Sequence, residues 1–312
     1  MFKRRIVFLV GPTASGKSAV AVCLAKRLNA EIISCDSMQI YRKMNILSSR
    51  PPKELTKRIK HHLLGFLKPS RDYNAGRFRK DALLEAERIY KKGKIPLFVG
   101  GTGLYMSAII DGLFASLPYD KEIRRKLEVD AKMKGAGYLY HKLAKIDPHA
   151  AARIHAHDAR RIIRALEVFL KCGKPISVLQ KERHGLGDEY KVRIFALNLE
   201  RAKLYNRIDQ RVGQMFDQGL LKEARALLKS RLSRTSRYAL GLPEIKGYLQ
   251  GKYDLNEAKR LIKRNSRHYA KRQLTWFRKD KRVEWIRIKD RETPSVIAAR
   301  IFKRCRKGGA AY

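Results

Sequence analysis

The sequence predicts an α/β fold in which a parallel sheet is flanked by helices and carries a mainly helical insertion. Three observations point there: short continuous apolar runs that read as buried strands, glycine-rich turns at the ends of two of them, and a long central stretch with no such run.

Ile6 to Val10 is the first strand, an apolar run too short for a membrane span or a signal core. Gly11 to Ser18 leads from it into an Ala/Val/Leu-rich helix ending near Leu28. Glu31 to Cys35 is the second strand, and Asp36-Ser37-Met38-Gln39 follows, so a carboxylate stands at its C-terminal tip, where open α/β sheets place ligands. Phe78, Ala82, Ala86, Ile89 and Tyr90 recur at helical spacing, and Gly93 stops that helix. The third strand, Ile95 to Val99, runs into Gly100-Gly101-Thr102-Gly103. Beyond Pro118 charged helical stretches continue until the strand Val192 to Leu199. That divides the chain into a catalytic core, residues 1–118 and 189–312, and a helical insertion, residues 119–188. After Leu199 the pattern returns to helices. From Glu257 to Arg282 there are eleven Lys or Arg against two acids, and the interleaved Tyr269, Trp276 and Phe277 read as core rather than as base-stacking platforms. Gly308 to Tyr312 reads as a short mobile tail.

At 312 residues, with 44% apolar and 9% aromatic residues, the chain has the material for a sizeable core and is not a disordered polyelectrolyte. Seventy-one Lys and Arg against 29 Asp and Glu leave +42, a charge that repels itself unless a polyanion neutralises part of it. Nucleic acid is the partner class this favours; the alternative is a generally solvated cationic surface. Cys23, Cys35, Cys172 and Cys305 form no CxxC pair, which argues against a zinc site or a disulfide framework and for reduced thiols in the cytoplasm. His155 and His157 have no further ligand nearby in sequence and read as surface residues.

Gly11-Pro12-Thr13-Ala14-Ser15-Gly16-Lys17-Ser18 matches GxxxxGK[ST] in full, with a strand before and a helix after, which makes the sheet P-loop NTPase-like. In such a loop the backbone N–H groups converge on phosphate oxygens, the lysine adds a point charge, and the Ser18 hydroxyl reaches Mg²⁺. The motif does not decide the reaction. A second carboxylate for Mg²⁺ would end an apolar strand in a common NTPase arrangement, but Ile95 to Val99 ends in Gly-Gly-Thr. Asp36 is placed to be a general base, or alternatively a helix N-cap with Ser37 beginning a short helix. This leaves phosphoryl or diphosphate chemistry on an acceptor activated by Asp36.

Several segments in order carry a more specific resemblance: the phosphate loop, Ser34-Cys35-Asp36-Ser37-Met38-Gln39-Ile40-Tyr41-Arg42, Gly100 to Tyr105, Asp158 to Val168, Arg207 with Arg211 to Met215, and Tyr269 to Arg278. Together they resemble the bacterial tRNA dimethylallyltransferases, also called isopentenyl-diphosphate:tRNA transferases, across nearly the whole chain. The resemblance implies that the loop, through Thr13 to Ser18 with Mg²⁺, grips the diphosphate of dimethylallyl diphosphate. It implies that Thr102 and Arg211 complete that cradle, and that Asp36 takes a proton from N6 of the adenosine immediately 3′ of the anticodon. It assigns Asp36, Ser37, Met38 and Gln39 to the target nucleotide. Thr102, Arg124 and the run Arg160, Arg161, Ile162, Ile163 and Arg164 fall to the tRNA anticodon stem-loop, in a monomeric enzyme. Arg160 and Arg164, at i and i+4, share a helix face and are placed to meet phosphates. One departure stands out: where the family shows Gly-Tyr and a basic residue, this chain has Gly241-Leu242-Pro243-Glu244. The competing readings are a P-loop small-molecule kinase, an adenylate isopentenyltransferase, and a non-catalytic RNA-binding protein with a vestigial site.

Overall fold

Five consecutive apolar side chains, Ile6 to Val10, are all but fully buried, because their strand β1 (Arg4–Val10) lies in the middle of a sheet with helices on both faces. The computed structural model describes residues 4–114, 120–187 and 189–307. The boundaries expected at 118/119 and at 188, and the tail Gly308 to Tyr312, lie outside the described residues. Two compact units form, one from Met1–Ile110 with Asp188–Tyr312, the other from Asp111–Gly187.

In the first unit the elements run β1, α1 (Lys17–Leu28), β2 (Ala30–Ser34), α2 (Lys53–Arg58), β3 (His61–His62), α3 (Ala75–Tyr90), β4 (Ile95–Gly100) and α4 (Gly103–Ile110). The second unit contributes α5 (Lys121–Ile146), α6 (Pro148–Ala151), α7 (Ala159–Cys172) and α8 (Ile176–Leu179). The first unit resumes with β5 (Tyr190–Asn198), α9 (Arg201–Asp217), α10 (Leu220–Leu228), α11 (Leu242–Leu249), α12 (Leu255–Arg278), β6 (Val283–Arg287) and α13 (Pro294–Lys307). No helix among the described residues is long and apolar enough to cross a membrane.

The six strands are ordered β3-β2-β4-β1-β5-β6, and every pairing is parallel. Parallel neighbours need crossovers, and helices supply them, so both faces of the central strands are covered and the strands become continuously apolar. On one face Val20, Leu24 and Leu28 of α1 and Ile297 and Ile301 of α13 pack on Leu9, Ile32, Leu97 and Phe195. Elsewhere in the core Phe8 stacks on Phe98 with centroids 4.7 Å apart, and Phe78 on Tyr105 at 4.0 Å. Each such side chain contributes about 1.5–3 kcal/mol of burial. In α3 the 3.6-residue pattern is realised: Asn74 caps it by accepting from Arg77 N at 2.8 Å, and Phe78, Ala82, Ala86 and Ile89 are its buried face.

Two strands escape the sequence pattern. β6 reads Val-Glu-Trp-Ile-Arg; at the sheet edge only Val283 and Ile286 need burial, so no continuous apolar run marks it. β3 is two histidines held by polar contacts. His62 bridges Glu31 and Glu85, 2.7 Å from each, and Lys94 lies 3.0 Å from Glu31. Burial pushes the Glu31 carboxyl up, but the hydrogen bonds from His62 and Lys94 and the charge of Lys92 outweigh it and hold the group down at about 2.

In the second unit α5 starts at Asp120, which accepts from Glu122 N and Ile123 N at 3.0 and 3.1 Å, and is broken at Gly135, where φ is 81°. Leu127, Leu139 and Leu143 pack on Ile162, Leu166 and Ile176, the apolar face of α7 and its successor. Glycine at position 173, with φ 67°, ends α7 in the left-handed conformation that favours that residue.

Candidate active site

The phosphate loop leaves the end of β1 and returns as α1, whose first residue is Lys17. Gly16, at φ 86°, turns the chain so that the helix N-terminus faces back over the loop. Lys17 Nζ donates to Pro12 O at 2.6 Å and lies 3.5 Å from Ser15 Oγ. Burial, reinforced by the charge of Arg211 and opposed by Asp36, pulls the lysine down to about 7.

Asp36 stands at the tip of β2. Its Oδ1 accepts from Met38 N at 2.8 Å and from Gln39 N at 3.3 Å, so it caps a turn over Ser37 to Ile40; no helix begins there. Burial raises its carboxyl above the ordinary value, partly offset by those two N–H groups and by Lys17 and Arg211. The side chain of Gln39 is engaged inside the molecule. It accepts from Ser34 Oγ at 3.1 Å and donates to Ser49 O at 3.3 Å.

The tip of β4 explains its own sequence. A methyl group on Gly100 would overlap the backbone of Cys35, one on Gly101 the Gln273 amide, and one on Gly103 the indole of Trp276. Three glycines therefore let the β4 tip lie against β2 on one side and α12 on the other. Between them Thr102 Oγ1 accepts from Ser37 N at 3.1 Å, and its own N–H reaches Cys35 O at 3.3 Å, tying the β2 and β4 tips together.

Two helices from the C-terminal part close the site. Arg211 of α9 donates to Thr13 Oγ1 at 3.3 Å and to Ser49 O at 3.4 Å. Gln273 of α12, only 6% exposed, accepts from Thr13 N at 2.9 Å and donates to Gly101 O at 3.0 Å, so it spans the phosphate loop and the β4 tip. Tyr269, one turn earlier, lines the same cavity, and burial and then Asp36 raise its hydroxyl above the ordinary value. The sequence pattern places neither residue in the site: it gives Gln273 no role and puts Tyr269 in the core. Their only signal was the run Tyr269 to Arg278, in which nothing local shows which side chains turn inward. Of the three aromatics expected in the core, Phe277 is there; Tyr269 lines the cavity and Trp276 is 38% exposed.

These elements enclose a cavity of about 630 Å³. Thr13 to Ser18, Asp36 to Gln39, Arg207 and Arg211 line it with polar groups, and Leu47, Ile208, Val212, Met215, Leu240 and Ile262 with apolar ones. The Gly241 to Glu244 segment is structural: Glu244 accepts from Gly241 N at 3.0 Å and from Asn265 Nδ2 at 2.6 Å, which fixes the start of α11 on α12.

In the second unit the expected RNA-facing residues divide. Arg160 and Arg161 are exposed, Arg161 within 3.3 Å of Asp158. Ile162 and Ile163 are 0% and 7% exposed, so their side chains serve the core and not an RNA surface. Arg164, one turn after Arg160 on the same face of α7, is only partly exposed. It turns to the buried Glu167 at 3.0 Å, and Arg124 reaches the same carboxylate oxygen at 3.2 Å.

The family model described as IPP transferase matches residues 39–280. A tRNA dimethylallyltransferase of Carboxydothermus hydrogenoformans is 46% identical over 283 residues, 90% of this chain and 91% of its own. Among solved structures, the full-length tRNA isopentenylpyrophosphate transferase of Bacillus halodurans superposes with a TM-score of 0.72 at 40% identity, over 97% of this chain and 96% of that one. A eukaryotic dimethylallyltransferase acting on tRNA gives a TM-score of 0.75 at 27% identity, over 92% and 74% of the two chains.

Proposed function

The chain belongs to the IPP transferase family, and from that premise we propose how its cavity works as a tRNA dimethylallyltransferase. The reaction moves the dimethylallyl group of dimethylallyl diphosphate to N6 of the adenosine immediately 3′ of the anticodon. The observation that carries the reading is one cavity in which a half-buried carboxylate, Asp36, faces a phosphate loop and two cations, Lys17 and Arg211, beside an apolar wall.

The phosphate loop holds the diphosphate through its N–H groups, Lys17 and Ser18, with Arg211 over Thr13 and Thr102 fixing the opposite tip. Leu47, Val212 and Met215 are of the right chemistry for the five-carbon chain. The adenine leaves its stack and enters beside residues 36–39. As the N6 lone pair forms a bond to C1 of the donor, the C1–O bond breaks and its electron pair leaves with the diphosphate. The amine proton passes to Asp36. Negative charge grows on the leaving group, so fixed cations there stabilise the transition state more than the ground state. Asp36 is suited to its part because burial raises its proton affinity while the N–H groups of Met38 and Gln39 hold it in place.

Mg²⁺ fits this donor set in one way. The phosphate loop offers the neutral Ser18 hydroxyl, and Mg²⁺ bound with substrate phosphates needs few protein ligands. When bound, the ion would neutralise part of the leaving group's charge. Arg160 and Arg161 supply phosphate contacts from the second unit. We place the enzyme in the cytoplasm as a monomer, in keeping with its substrate and its reduced thiols. Mass spectrometry of tRNA nucleosides after incubation with dimethylallyl diphosphate and Mg²⁺ tests the reading. N6-(dimethylallyl)adenosine is expected; transfer of labelled γ-phosphate from ATP to any acceptor would point to a kinase instead.

A further inference from the structure

We propose that Trp276 is a stacking platform for an unpaired RNA base, the strand neighbour of the nucleotide that enters the cavity. The proposal rests on the tRNA reading above and deepens it. Tyr269, Gln273 and Trp276 fall at i, i+4 and i+7 on α12, one face of the helix. The first two line the cavity. Trp276 is the next residue outward on that face, about 4.5 Å along the axis from Gln273 at a rise of 1.5 Å per residue. A strand that inserts one nucleotide beside Tyr269 and Gln273 therefore brings an adjoining nucleotide to the indole.

The ring is held in place and yet open. Its pyrrole edge, Cδ1, Nε1 and Cγ, lies against Gly103, next to Thr102, while the residue keeps 38% of its surface exposed. Its neighbour Phe277 is fully buried, so the helix has a core face and Trp276 is outside it. The surroundings select the partner. Arg272 and Lys279, at i−4 and i+3 from Trp276, are exposed on its face of α12, Lys271 and Arg278 are exposed elsewhere on the helix, and the sequence has no acidic residue from Ala258 to Lys279. An apolar protein surface gains nothing from such cations, whereas single-stranded RNA takes both parts: phosphates on the cations and a base on the ring. When a base flips out of a loop its neighbour loses a stacking partner, and a fixed indole replaces it.

The chain has two tryptophans, so Trp285→Phe leaves Trp276 as the sole indole. Titration of that variant with an anticodon stem-loop hairpin should quench the emission, saturating where prenyl transfer saturates; a blunt duplex of equal length should not quench. Trp276→Ala should raise KM for the hairpin roughly 5- to 150-fold, the loss of one base–aromatic stack, with kcat and the KM for dimethylallyl diphosphate unchanged. Trp276→Phe should recover most of it. A purely structural role would instead move donor KM and melting temperature, and Phe would rescue no RNA-specific term. Emission that ignores saturating hairpin while transfer proceeds overturns the proposal, as does an unchanged hairpin KM in folded Trp276→Ala; if that variant does not fold, the titration and the Phe variant decide. Failure of the unsubstituted protein to prenylate any tRNA would sink the reading of the reaction, and this proposal with it.

Discussion

Lys17 and Asp36 share a cavity in which burial moves both toward their neutral forms, the lysine down to about 7 and the aspartate up. A diphosphate favours the charged lysine, so above pH 7 donor binding must recruit a proton. Donor affinity is expected to fall as pH rises past about 7, approaching tenfold per pH unit for one linked proton. Calorimetry at pH 8 in two buffers of different ionisation enthalpy would reveal the uptake; buffer-independent heats would show that Lys17 is already charged. Asp36→Asn separates the base from the turn cap, since asparagine caps about as well. It should cost roughly 10²- to 10⁴-fold in single-turnover transfer, about 3–5 kcal/mol, with donor binding little changed. A rate within about threefold of the parent would leave Asp36 a cap alone. The residues of this site were unequally legible. The phosphate loop and Asp36 are local patterns beside strands, and the sequence exposes them. Gln273 meets Thr13 across 260 positions, and no local pattern reports a contact made only when α12 folds back on the sheet.

At the scale of elements, the strands buried on both faces were readable from their apolar runs, and the helices flanking them from spacing and stops. β6 and β3 were not, because an edge strand needs only one or two buried side chains and a pair of histidines held by carboxylates needs none. The same limit explains Glu167. In sequence it is one acid among many charges on α7, but it is 0% exposed and accepts from Asp120 N at 3.0 Å as well as from Arg124 and Arg164. It thereby joins the start of α5 to α7. Glu167→Ala should destabilise the protein by about 3–5 kcal/mol, the cost of leaving buried partners uncompensated, and Glu167→Gln by less because the acceptor for Asp120 N survives. Urea denaturation measures this. Equal losses for the two substitutions would mean that charge, not the backbone bond, carries the contact.

At the scale of the molecule, a charge of +42 sets how it meets a polyanion. Association with tRNA is expected to weaken steeply with salt, the logarithmic slope growing by about 0.7 to 0.9 for each phosphate neutralised. Filter binding between roughly 50 and 200 mM salt should show it, and a flat response would mean that stacking and base contacts dominate. Arg160→Ala with Arg161→Ala should weaken different substrate tRNAs about equally; loss confined to one tRNA would mean these residues read sequence. Strand order has a further consequence, which concerns manufacture. β1 pairs with β4 on one side and with β5 on the other, and β5 begins at Tyr190, after the whole second unit. At roughly 5 to 20 residues per second of synthesis, about 10 to 40 s pass between the emergence of β1 and that of its second partner. For that interval the nascent chain carries an open edge on its most apolar strand. Chains arrested on the ribosome before Tyr190 should be cut by protease within β1, and that sensitivity should vanish once Asn198 has cleared the exit tunnel.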